Sequence, residues 1–183
     1  MTFPQAAIFV FEHPACERHV RPLLCRLPTL AGAPVLIENA RGLRDRHGAV
    51  HAGAFLRKRR IAFDCSQKEF PRVFVHEVFH FAWLRCPNRE RRAFEDVLRK
   101  EWLGGARGEL GWSSEWRKAK LTLGEIDGRT RRWREYCCES FCDTAAWLYC
   151  GLGKHAEFTL EHRYRTGRRA WFRKWIEPRG LSI

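Results

Sequence analysis

The 183-residue sequence has no apolar run long enough to cross a bilayer, because charged residues interrupt every hydrophobic stretch well before the roughly 20 residues that a transmembrane helix needs. Residues 6–11 form a short apolar run, but no basic segment precedes it and Glu12 ends it, which is unlike a secretory signal. Internal repeats and low-complexity segments are also missing. We therefore expect a cytoplasmic protein that does not contact a membrane.

Paired cysteine motifs are another feature that the sequence lacks. It has eight cysteines, a number that would indicate disulfides in a small secreted protein, but without a secretion signal we expect reduced thiols that pack as small apolar side chains. Cys137, Cys138, Cys142 and Cys150 do not form two C-x-x-C pairs, so their spacing disfavours a structural thiolate zinc site.

Acidic residues are scarce relative to basic ones. The 21 acidic and 34 basic side chains give a formal net charge of +13, and the basic residues of the tail, 155–183, alternate with aromatic ones. Such charge is typical either of a solvated basic surface or of attraction to an acidic partner such as nucleic acid. Hydrophobic and aromatic contents of 45% and 13% predict a folded chain, and the length predicts one domain over residues 1–183.

An H-E-x-x-H motif, His76-Glu77-Val78-Phe79-His80, lies inside the apolar run 73–83. Residues four apart share one face of a helix, so His76 and His80 can direct two imidazole nitrogens at one metal ion. Glu77 is rotated by about 100° from His76, which places its carboxylate beside the metal as a general base. Burying these polar groups in an apolar helix is costly unless a partner such as a metal satisfies them.

The motif resembles that of the zincin metallopeptidases, and the resemblance implies a catalytic Zn²⁺ with a third protein ligand. In the gluzincin group that ligand is a glutamate on a later helix, often followed four residues on by an aspartate. Glu139 and Asp143 reproduce this pattern, and the resemblance implies that Glu139 binds zinc while Asp143 supports a ligating histidine. Glu135 remains an alternative ligand, because Glu135 and Glu139 give E-x-x-x-E on the same helix side and Arg-Glu-Tyr resembles the ligand segment of another gluzincin family.

The metzincin pattern is a weaker match. It would require a glycine where Trp83 stands and a histidine where Cys86 stands, so Cys86 would have to reach the metal without the glycine turn.

The residues around the motif predict an α+β fold with a small mixed sheet. A hairpin or long strand is expected over residues 54–63, and the resemblance implies that residues 55–63 form a sheet edge that a substrate chain extends. For the motif helix, Ser66 and Glu69 indicate a capping box, whereas Pro71 indicates a slightly later start. A glutamate-bearing helix over residues 130–150 should pack against the motif helix, and residues 52–150 would hold the zinc site.

Together these expectations predict a zinc metallopeptidase that acts on a peptide or protein substrate. The positive charge is compatible with a substrate that is acidic or associated with nucleic acid. Zincins usually supply a further donor to the oxyanion, and the candidates here are His155, His162, Tyr149 and Tyr164. The alternative is a non-catalytic basic module that binds nucleic acid or protein and carries a structural zinc. The intact Glu77 favours the enzyme, since a structural zinc has no use for it.

Overall fold

The computed structural model describes residues 8–45 and 48–183. These residues form seven α-helices, a mixed four-stranded sheet and two smaller strand pairs. The helices are α1 (Pro14–Leu24), α2 (Phe70–Arg85), α3 (Asn88–Leu103), α4 (Trp112–Lys118), α5 (Leu123–Asp127), α6 (Arg131–Tyr149) and α7 (His162–Trp175). The strands are β1 (Phe9–Phe11), β2 (Leu30–Ala31), β3 (Val35–Asn39), β4 (Arg44–Asp45), β5 (Gly48–Ala49), β6 (Ala52–Phe55), β7 (Arg60–Phe63) and β8 (Leu181–Ser182). The predicted α+β class is confirmed.

The main sheet has the strand order β1-β3-β7-β6. The first three strands are parallel, with Phe9 opposite Val35 and Ile37 opposite Ile61, while β6 runs antiparallel to β7 at the edge. Val35, Ile37 and Ile61 are fully buried, as expected for strands covered by helices. Two smaller pairs complete the strands of the described chain, β2 with β8 and β4 with β5.

The prediction for the sheet edge was wrong in its boundaries. Residues 55–63 are not one edge strand, because the chain reverses in a 3-10 turn at Leu56–Lys58 and Arg59 adopts a left-handed conformation with φ of 48°. The second arm of this hairpin, β7, is therefore interior and pairs with β3. Within this hairpin the edge strand is the first arm, β6 (Ala52–Phe55), which lies beside the motif helix, while β1 forms the opposite edge of the sheet.

The motif helix α2 starts at Phe70, which agrees with Pro71 in its first turn rather than with a capping box at Ser66. Glu69 does not cap the helix with its side chain, because its carboxylate contacts Arg72 and His155, both at 3.2 Å. The helix is buried on nearly all sides and packs chiefly against α6, as predicted. This packing brings the histidines and the later carboxylates to one place.

The basic tail is a packed helix, α7, and part of its charge lies in the core. Arg168 is fully buried, with guanidinium nitrogens 2.7 Å from carboxylate oxygens of both Glu101 and Glu109. Tyr136 donates to Glu109 at 2.6 Å, and Lys118 lies 3.1 Å from the same carboxylate. These contacts connect α3, α4, α6 and α7, so a part of the positive charge is structural.

All eight cysteines lie in the described ranges, and each is a free thiol there. Five of them are buried, namely Cys16, Cys86, Cys137, Cys142 and Cys150. In the part of the chain that the structure describes, helices of the length and apolarity needed to traverse a bilayer are absent.

The buried ion cluster makes a testable prediction about stability. Arg168→Met removes the cation that two buried carboxylates share, and breaking a buried pair in this way typically costs about 3 to 5 kcal/mol. Urea denaturation should show a loss of this size. Arg173→Met is the matched control, because Arg173 is exposed on the same helix and its loss should change stability little. Equal stability of the two variants would contradict the structural role of Arg168.

Candidate metal centre

Three potential ligand atoms converge where α2 faces α6. The Nε2 atoms of His76 and His80 are 3.1 Å apart, and Oε2 of Glu139 lies 3.4 Å from the first and 4.0 Å from the second. Donors bound tetrahedrally at about 2.0 to 2.1 Å from one ion lie about 3.3 Å from one another. Two of the observed spacings are close to that value and the third is wider, so these side chains are candidates for the ligands of one metal ion.

Asp143 fixes the first histidine from the opposite side. Its Oδ1 lies 2.8 Å from Nδ1 of His76, while its Oδ2 accepts from the backbone N–H of Ser114 at 3.1 Å and from the Ser114 hydroxyl at 2.7 Å. Asp143 is only 1% exposed. A carboxylate so placed keeps a proton on Nδ1 of His76, so Nε2, which faces Glu139, is the nitrogen that can give up its proton to bind a metal ion.

His80 is supported by a thiol. Its Nδ1 lies 3.5 Å from the sulfur of Cys138, one helical turn before Cys142 on α6. His76, His80 and Cys142 also form a group whose ligand atoms all lie within 4.8 Å of one another, and this group could hold a metal ion. The helix α6 therefore offers two candidates for the third ligand, the carboxylate of Glu139 and the thiol of Cys142.

The charges at the site stabilise one another. Burial alone would lower the pKa of His76, but the carboxylates of Asp143, Glu139 and Glu77 together outweigh it and raise the pKa well above its usual value. Burial alone would raise the pKa of Glu139, but the hydrogen bond from His76, the charge of His80 and the Arg117 guanidinium lower it to about 2. A carboxylate that stays ionised beside two imidazoles is suited to bind a cation.

Glu77 and the convergent ligands line one cleft, whose volume is about 720 Å³. The free edge β6 lies along this cleft, and residues of α4 line it as well. Glu77 is one residue from His76 on the same helix and is itself nearly buried. A molecule that enters the cleft therefore meets the candidate ligands and Glu77 together.

The alternative ligands from the sequence lie elsewhere. Glu135 is part of α6 but points outward, where Arg131 donates to its carboxylate at 2.7 Å. Cys86 follows the last turn of α2 and its thiol faces Glu90, with sulfur and oxygen 3.8 Å apart. Neither residue lines the cleft.

The four oxyanion candidates are also absent from the described lining of the cleft. Tyr149 is buried and stacks on Phe79, with ring centroids 5.7 Å apart. Tyr164 donates to the carbonyl of Gly104 at 2.7 Å, and His162 is exposed at the start of α7. His155 comes nearest, because its Nε2 contacts Glu69, and Glu69 pairs with the cleft residue Arg72.

Sequence patterns did not indicate the contribution of the segment 111–117. Arg117 places a guanidinium nitrogen 3.2 Å from Oε1 of Glu139, and Ser114 holds Asp143. Gly111 approaches Asp143 so closely that an added Cβ would overlap the carboxylate. Helical periodicity within this segment gives no information on which of its side chains meet α6.

No protein family, no curated protein and no solved structure matches the chain. The chemistry of the centre therefore has to be inferred from its own residues. Their arrangement offers nitrogen and oxygen donors, with sulfur from Cys142 as the other choice, around a point that is open to a cleft.

The contact between Gly111 and Asp143 makes a testable prediction. Gly111→Ala should displace the Asp143 carboxylate, release His76 and weaken metal binding by about 10 to 100-fold, as loss of a partner behind a ligand commonly does. Gly111 has an extended backbone with φ of −176°, so the added methyl group causes no backbone strain of its own. Zinc titration of the purified variants measures the effect.

Gly124→Ala is the control, because a Cβ there has no neighbour within 4 Å. If both variants bound metal as the wild type does, Asp143 would not be the group that orients His76.

Proposed function

We propose that this protein is a zinc-dependent peptide hydrolase. The observation that carries the proposal is the convergence of His76 Nε2, His80 Nε2 and Glu139 Oε2 within 4.0 Å of one another at a cleft that Glu77 also lines. Two imidazoles and one carboxylate are a common set for catalytic zinc, which takes three protein ligands and keeps one position open.

Glu139 is favoured over Cys142 as the third ligand because of its place at the cleft. Its Oε2 lies 3.4 and 4.0 Å from the Nε2 atoms of His76 and His80. Glu139 also lines the cleft, while Cys142 is fully buried. An open coordination position that faces the cleft is what a hydrolytic site needs.

The residues of the chain divide the chemistry between them. Zinc, when bound, lowers the pKa of a coordinated water towards about 7 and polarises a carbonyl group. The Glu77 carboxylate accepts the proton of the attacking water and passes it to the leaving amine. Asp143 keeps His76 oriented, and Arg117 holds the second oxygen of Glu139 so that Oε2 faces the imidazoles.

The edge strand β6 is suited to hold an extended peptide. It pairs only with β7 on one side, and Ala52, Gly53 and Ala54 line the cleft with little side-chain bulk. A substrate backbone can therefore add to the sheet as a further strand beside the metal centre. This pairing recognises the backbone and leaves selectivity to the rest of the cleft.

A basic binding module remains the second candidate. Exposed cations of α7 such as Arg169 and Arg173 favour it, since they face solvent on one helix without a carboxylate between Glu161 and Glu177. Binding of nucleic acid stays a prediction. If it occurs, its affinity should fall steeply as the salt concentration rises.

The choice of third ligand makes the next prediction. Glu139→Ala should remove bound zinc, and Asp143→Ala should weaken binding by about 10 to 100-fold through His76. Glu135→Ala should keep one zinc per chain, because Glu135 pairs with Arg131 on the outer side of α6. Elemental analysis after dialysis gives the stoichiometry.

Cys142→Ala separates the two ligand sets. Retention of zinc in Cys142→Ala together with loss in Glu139→Ala is the expected result. The reverse would assign the third position to the thiol and would count against a hydrolytic centre.

The role of Glu77 provides the test of the reaction itself. Glu77→Gln keeps the size of the side chain but removes the base, so peptide cleavage should fall by about 100-fold or more while zinc content is unchanged. Mass spectrometry of a broad peptide library, with and without a chelator, detects the products. Cleavage that persists in Glu77→Gln would rule out this mechanism.

A further inference from the structure

The exposed aromatic residues of the described chain are concentrated at one place. Seven large hydrophobic side chains are exposed in the described ranges, and the three aromatic ones among them all line the cleft of the metal centre. Trp112 is 72% exposed, Trp116 41% and Phe55 37%. Large aromatic side chains grouped on a concave surface are typical of a binding site.

Two of the aromatic residues come from α4. Trp112 and Trp116 are one helical turn apart, so they share a face of this helix. The backbone N–H of Trp112 donates to the carboxylate of Glu157 at 2.8 Å, which anchors the start of α4. The adjacent Arg117 contacts Glu139, so the aromatic pair is attached directly to the metal centre.

Cations hold two of the rings in place. The ammonium of Lys120 lies 3.4 Å from the centroid of the Trp116 ring, and the guanidinium carbon of Arg60 lies 4.2 Å from that of Phe55. Contacts of this kind are attractive and limit the motion of an exposed ring. An aromatic side chain whose orientation is already fixed loses less entropy when a ligand packs on it.

The charged groups in the cleft largely neutralise one another. Arg117 pairs with Glu139, and Arg72 pairs with Glu157 at 2.8 Å. Arg44 and Glu77 also line the cleft and are opposite in charge, so its cations and carboxylates are equal in number. Apart from the histidines and Ser113, the rest of the wall consists of the aromatic residues and of small or aliphatic side chains. The cleft is therefore better matched to apolar side chains than to charged ones.

We infer that the substrate of this site is a peptide segment with bulky apolar side chains, which pack on Trp112 and Trp116 while the backbone lies along β6. The inference rests on the proposed function and names its substrate class. The tryptophans act as specificity-determining residues, and they contact substrate side chains away from the reacting atoms. Tryptophan is prominent among the residues that dominate binding energies at interfaces.

The test is a binding measurement that does not require cleavage. The zinc-loaded Glu77→Gln protein is titrated with fluorescent blocked heptapeptides, Ser-Gly-Ser-X-Ser-Gly-Ser, in which X is Trp, Phe, Leu, Ala, Glu or Lys. Anisotropy should show at least about 10-fold tighter binding for Trp, Phe and Leu than for Ala, Glu and Lys. Adding Trp112→Ala or Trp116→Ala should remove most of this preference without altering zinc content.

Two further variants complete the design. Trp112→Phe should keep most of the preference, and Leu103→Ala is the control for loss of an exposed apolar side chain, since Leu103 is 51% exposed and outside the cleft. Equal affinity for all six peptides, or a preference that survives both alanine variants, would overturn the inference. If the protein prefers apolar peptides but the wild type cleaves none, the proposed hydrolase function is rejected and the apolar binding surface stands. If the wild type cleaves peptides without this preference, only the inference about the substrate class is rejected.

Discussion

The burial of one carboxylate, that of Asp143, is the constraint on which the rest of the centre depends. A charged group with 1% exposure is stable only when its oxygens have partners, and here these come from His76 and from two donors of Ser114. The first partner lies on α2, the second on α4, and Asp143 itself on α6. Satisfying this one group therefore fixes the relative position of three helices, and the candidate ligands follow from that position.

The parts of the centre that depend on spacing within a helix could be predicted from the sequence. His76, Glu77 and His80 share one helix, and Glu139 and Asp143 share another, so helical periodicity sets their relative directions. Periodicity did not decide between Glu135 and Glu139, because both lie on one broad side of α6. Packing separates them, since Glu139 faces α2 while Arg131 holds Glu135 at the surface.

Contacts made by the segment before α5 could not be predicted, because they depend on how an irregular connection folds back. No sequence pattern relates Ser114 and Arg117 to the residues of α6 that they contact. The role of Gly111 likewise depends on a three-dimensional contact, since it leaves room for the Asp143 carboxylate. The place of Arg168 could not be predicted for a related reason. It lies in the basic tail of the sequence, and only the packing of α7 shows that this cation is buried between two carboxylates.

The short helix α4 contacts both the candidate metal centre and the surface that we propose for substrate binding. At seven residues it is too short to be stable alone, so contacts with the rest of the chain must stabilise it. Those contacts include Asp143 and Glu139 on α6, and the same helix presents Trp112 and Trp116 to the cleft. Whatever orders the carboxylates of the centre therefore also orders the aromatic wall. Under the proposed function, binding of a metal ion at Glu139 would help to order the proposed substrate surface, because Arg117, which contacts Glu139, is adjacent to Trp116 on α4.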